Sequence, residues 1–144
     1  MVDLPWTPAQ KIDDNDAFRR AHGLAIPGAV RIRPADPTYN CMGFVFASRR
    51  AFVPPDAWSI IEHDDDYVRV ADDEVGCGDV VTWHDAGVLQ HVGLVVKVDR
   101  LRLGGLPLPS ILSKWGLFGE YLHPVNAVPA WYGIDIGFWR VRRV

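Results

Sequence analysis

A chain of 144 residues, 49% hydrophobic and 23% charged, can fold as one domain with its own core, and no linker or repeat marks a second. Its net charge of -3 weighs against nucleic acid as the main partner, because phosphate binding wants a basic surface. No apolar run approaches the ~20 residues of a membrane helix, no basic-then-apolar leader opens the chain, and two cysteines make no disulfide framework. These features predict a chain that is cytoplasmic as synthesised, with no membrane partner and with Cys41 and Cys77 as free thiols. Export by a route without an N-terminal signal stays open.

Residues 1–36 read as a polar N-terminal extension, rich in proline and glycine. A short helix is predicted over 13–22, with Gly23 as its stop, and Arg31-Ile32-Arg33-Pro34 as an extended approach to the cysteine loop. Pro37 disfavours helix before it, and Asn40 is a good N-cap. Cys41, Val45, Ser48 and Phe52 recur at helical spacing until Pro54-Pro55 forbids continuation. A thiol in the first turn feels the positive end of the helix, which favours thiolate. Free N–H groups there could hold an oxyanion. Cys41 is therefore a candidate nucleophile. Asn40 reads as a cap or an oxyanion residue, and Tyr39 as a cleft residue or a hydrophobic staple.

Residues 57–61 suggest a helical turn. The acidic clusters at 63–66 and 71–74 lack the alternating ligands of a calcium loop and read as solvated. Gly76-Cys77-Gly78-Asp79 is a turn into a strand over 80–84. A connector over 85–89 and a second strand over 90–98 complete an antiparallel hairpin. Alternation puts Val92, Leu94, Val96 and Val98 on one face, and His91, Gly93, Val95 and Lys97 on the other. Gly93 suggests close approach of another element, and a helix packed there would set His91 beside Cys41. A third strand is predicted over 110–115, a short extended piece over 120–123, a loop over 125–133 and a closing strand over 137–144.

A cysteine nucleophile needs a base, and the base needs an orienting partner. Asn40-Cys41-Met42-Gly43-Phe44, then Gly78-Asp79-Val80-Val81, then His91-Val92-Gly93-Leu94-Val95 resembles the motif set of papain-like cysteine hydrolases of the NlpC and CHAP type. The resemblance covers residues 37–115, which would be the catalytic half. It implies an α+β fold in which a cysteine-bearing helix packs on a small antiparallel sheet. It implies Cys41 and His91 as catalytic residues, no cofactor, and hydrolysis of amide bonds through a thioester, often in cell-wall peptides. The family's third position falls near Ser113, where serine departs from the usual His, Asn, Asp, Gln or Glu. Glu120, His123, a backbone carbonyl or water are the alternatives. A deamidase, transglutaminase-like enzyme, acyltransferase or toxin on the same scaffold, or a non-catalytic binding module, are the rival functions. Zinc held by His84, Asp85, His91 and Cys41 is the rival chemistry, although no paired Cys-x-x-Cys or His-Glu-x-x-His occurs.

Overall fold

The computed structural model describes residues 28–100, 107–115 and 119–142. The helix predicted over 13–22 lies outside them. The elements are β1 (Val30–Arg33), α1 (Cys41–Phe46), α2 (Trp58–Asp64), β2 (Tyr67–Val70), β3 (Val80–Asp85), β4 (Val88–Arg100), β5 (Pro107–Lys114), β6 (Glu120–Pro124) and β7 (Asp135–Val141). All seven strands join one antiparallel sheet in the order β1-β6-β5-β4-β3-β7-β2.

This corrects the expected fold class. The chain is β-rich rather than α+β and papain-like: helices of six and seven residues lie against a seven-stranded sheet. Segments that look irregular in sequence supply the extra strands. Tyr67–Val70, between two acidic clusters, pairs with β7, and β5 begins back at Pro107. The cysteine helix also ends early. Ser48 and Arg49 take left-handed conformations, with φ of 51° and 65°, and the chain doubles back. The Ala51 carbonyl then occupies the space over Gly43, where a Cβ would lie 1.8 Å from its oxygen. Phe52, expected on the helix, is instead 53% exposed.

The β3–β4 hairpin forms as predicted, with a tighter turn. Asp85 pairs with Val88, and Ala86 and Gly87 between them both have positive φ, as a two-residue turn matching the sheet twist requires. The Gly-Asp turn before β3 is held by Asp79. Its carboxylate accepts the Gly76 N–H at 2.8 Å and two Arg140 N–H groups at 2.6 and 2.7 Å. Among the described residues, no helix is long and apolar enough to cross a membrane.

Successive strand residues enter opposite cores. Val81, Trp83, Val95, Ile111, Tyr132 and Phe138 share one cluster. Val80 and Val92 share the other with Cys41, Met42 and Trp58 from the helices. The helices thus cover the Val92 face of β4, not the Gly93 face as expected. Gly93 is approached by β5 instead: a Cβ there would meet Ile111 Cγ2 at 2.7 Å and Ser113 Cβ at 3.0 Å.

Candidate active site

Cys41 opens α1, and the preceding loop holds it there. Asn40 is extended, and its side-chain oxygen accepts the N–H groups of Gly43 at 2.9 Å and Val53 at 3.0 Å. Its amide donates to the Val53 carbonyl at 2.7 Å. The side chain is committed to capping the helix and clamping the return chain. Tyr39 turns inward rather than lining a cleft. Its hydroxyl donates to the Glu120 carboxylate, and its ring lies 4.6 Å from the Lys114 ammonium. Arg49 reaches the same carboxylate from the left-handed turn, with bonds of 2.6 and 2.9 Å. That ion pair across 71 positions is what the early end of α1 makes possible.

The Cys41 side chain is 9% exposed. Burial raises its pKa, against the opposing pull of the Val92 and Met42 N–H groups and of Lys114. The resting group is a thiol, which corrects the thiolate expectation: a six-residue helix is a weak dipole, and desolvation outweighs it.

His91 is 1% exposed and stacks on Tyr132, ring centroids 4.2 Å apart, with Trp83 beside it at 5.1 Å. Burial, and then the neighbouring His123, hold it neutral, well below the usual histidine range. Among the described residues its Nε2 has no hydrogen-bond partner. The ladder between β4 and β5 ends at Leu94 and Leu112, so β4 continues past it toward α1. There the Val92 N–H points at the Cys41 sulfur. His91, the next residue back, turns its ring to the Trp83 and Tyr132 side of the sheet, so the helix does not set the two side chains against each other as expected. Tyr132, stacked on His91, lies within electrostatic reach of the same sulfur.

Ser113 is occupied elsewhere. Its hydroxyl lies 2.7 Å from His123 Nε2 and accepts the Trp115 indole N–H at 3.2 Å. His123 Nδ1 lies 2.7 Å from the Pro124 carbonyl, a contact that requires Nδ1 to carry the proton. The Ser113 hydroxyl therefore donates to Nε2, and the bonds it makes run to His123 and Trp115 rather than to His91. Glu120, the second alternative, belongs to Tyr39 and Arg49. His123, the third, is held neutral by burial at about 4, with its Pro124 bond pulling the other way.

Two residues that sequence reasoning missed sit in this site. Tyr132 hides in a segment whose prolines read as loop, and Lys114 follows Ser113 in a strand whose alternation says nothing of charge. Among the described residues no group of three or more His, Cys, Asp or Glu side chains is placed to hold a metal ion, so His84, Asp85, His91 and Cys41 are not brought together as one. A groove of about 540 Å³ lies between Pro55, Asp56, Trp58 and Ser59 on one side and His84, Gly87, Val88 and Leu89 on the other. Trp58 and Leu89 also pack in the cluster that contains Cys41, so the groove borders the sulfur's surroundings, although Cys41 and His91 do not line it.

No family model, curated protein or solved structure matches this chain. The resemblance to NlpC and CHAP hydrolases rests on its three motifs.

Proposed function

We propose that this protein is a cysteine-dependent amide-bond hydrolase, with Cys41 as nucleophile and His91 as its proton acceptor and donor. The observation that carries this reading is the convergence of β4 on α1. The Val92 N–H meets the Cys41 sulfur, and His91, its neighbour along β4, is buried with its Nε2 unpartnered among the described residues. Peptides, including peptidoglycan stem peptides, are the substrate class that the motif resemblance favours.

Both groups rest neutral, so the reaction is general-base catalysis rather than attack by a standing ion pair. As the sulfur bonds to the amide carbon, its proton passes to His91. The carbonyl oxygen gains the charge. The Asn40 cap takes the Gly43 N–H and the first helical bond takes the Phe44 N–H; the Cys41 and Met42 N–H groups, which face the sulfur at rest, turn to the charge as it moves onto the oxygen. The C–N bond breaks as His91 protonates the leaving amine. Water then gives a proton to His91, attacks the thioester and releases the acid, and the proton returns to sulfur. Tyr132 stacked on the imidazole restricts its rotation.

The test is amine release from peptide amides and from peptidoglycan stem-peptide fragments. Wild-type protein turns over at least one of them, and Cys41→Ala abolishes that turnover while retaining the fold. Full activity in Cys41→Ala overturns the reading.

A further inference from the structure

Lys114, on β5, is fully buried. Its ammonium donates to the carbonyls of Asp36 at 2.7 Å and Tyr39 at 2.9 Å, both in the loop that delivers Cys41. It lies over the Tyr39 ring and within electrostatic reach of the Cys41 sulfur. A buried lysine loses hydration and side-chain freedom, a cost that hydrogen bonds to two carbonyls help to offset. Apolar residues could staple the same loop more cheaply. The charge therefore calls for an explanation beyond packing.

We propose that Lys114 is a positioning residue for the cysteine: its ammonium fixes the loop before Cys41 and stabilises negative charge on the sulfur as that charge forms. The inference rests on the nucleophile reading of Cys41 and extends it. The short helix supplies little field, and the lysine takes that part. Lys114 gives up no proton in the cycle, since the thiol proton goes to His91. Burial brings the lysine down to about 7, while Asp36, Glu120 and Cys41 pull it upward. Among the described residues, the charged and titratable groups around it include Asp36 and Tyr39 from the loop, Cys41 from α1, and Glu120 from β6, with Arg49 and Arg33 flanking Glu120.

The experiment is the pH profile of Cys41 alkylation by iodoacetamide, followed by peptide mass spectrometry in a Cys77→Ser background that removes the exposed thiol. Thermal melts run in parallel. Lys114→Met keeps the stem and removes the charge. Below about pH 7, where the lysine keeps its proton, alkylation of Cys41 then slows about tenfold, and the two profiles converge as the pH rises through the lysine's own range. Asp36→Asn, near the surface, weakens the pull on the ammonium without disturbing the core and slows alkylation by a smaller factor. A folded Lys114→Met protein with an unchanged profile overturns the proposal. If that variant does not fold, an unchanged profile in Asp36→Asn does so. Either result leaves the nucleophile reading standing. That reading fails separately if Cys41 in the native parent is never alkylated.

Discussion

Lowering the pH from about 7 to about 4.5 separates the folded from the unfolded chain through two buried histidines. His91 and His123 are each 1% exposed, and both are depressed, His123 to about 4. Their unfolded values lie near 6.5. A depressed group contributes stability that is fully present above the unfolded value and is lost as pH falls toward the folded one. Between those limits the unfolded chain binds two protons that the folded chain refuses. The slope is about 1.4 kcal/mol per pH unit for each histidine, or about 2.7 for the pair. At pH 4.5 the His123 share of the loss is about 2–3 kcal/mol, and His91, depressed by the same burial, adds to it, a large share of the 5–15 typical of a domain. The assay is urea unfolding at half-unit steps of pH. His123→Gln is less stable throughout, but its slope between about pH 6 and 5 is half that of the parent. A flat profile across this window, or an unchanged slope in His123→Gln, refutes the reasoning.

Gly43→Ala drives a methyl group into the Ala51 carbonyl and costs about 2–3 kcal/mol, read as a lower urea midpoint. Parent-like stability would mean that the return chain is not where α1 ends. Asp79→Ala removes the acceptor of the Gly76 N–H and of two Arg140 N–H groups and costs about 2–3 kcal/mol by the same measurement. Burial pushes Glu120 up, but the Arg49 and Tyr39 bonds, together with the Arg49 and Arg33 charges, outweigh it and hold the carboxyl below its usual range. Its stabilisation is therefore present above the unfolded carboxylate value and lost in acid. Glu120→Gln is destabilised at about pH 7, and the deficit shrinks below about pH 4. A deficit independent of pH would contradict the ion pair.

What could be read in the sequence was what is set locally. Asn40 caps because its side chain reaches a donor three residues on. The β3–β4 hairpin forms because β-branched residues flank a turn that glycine can enter. The alternation along β4 is legible from the pleat as far as Val95; a register shift between Val95 and Lys97 then turns Val98 to the core of Val95 rather than that of Val92. Which face receives the helices is not, because that depends on where α1 stops. Its end is set by the Arg49–Glu120 pair and by Ala51 folding over Gly43, contacts that helical spacing does not encode. The fold class fails for a related reason. Tyr67–Val70 is a strand only because β7 offers it an edge. In the site, Cys41 and His91 are visible as residue types in motifs. The roles of Lys114 and Tyr132 come from partners far away in the chain, and that of Ser113 from the pairing of β5 with β6, which brings His123 to it.

The most direct measurement is peptide mass spectrometry after brief exposure of native protein to an activated acyl ester, p-nitrophenyl acetate. A nucleophile served by His91 predicts one acetyl group on Cys41, none on Cys77 under the same conditions, and a large fall in acetylation in folded His91→Ala. Acetylation of Cys77 alone, or equal labelling of Cys41 with and without His91, would contradict it.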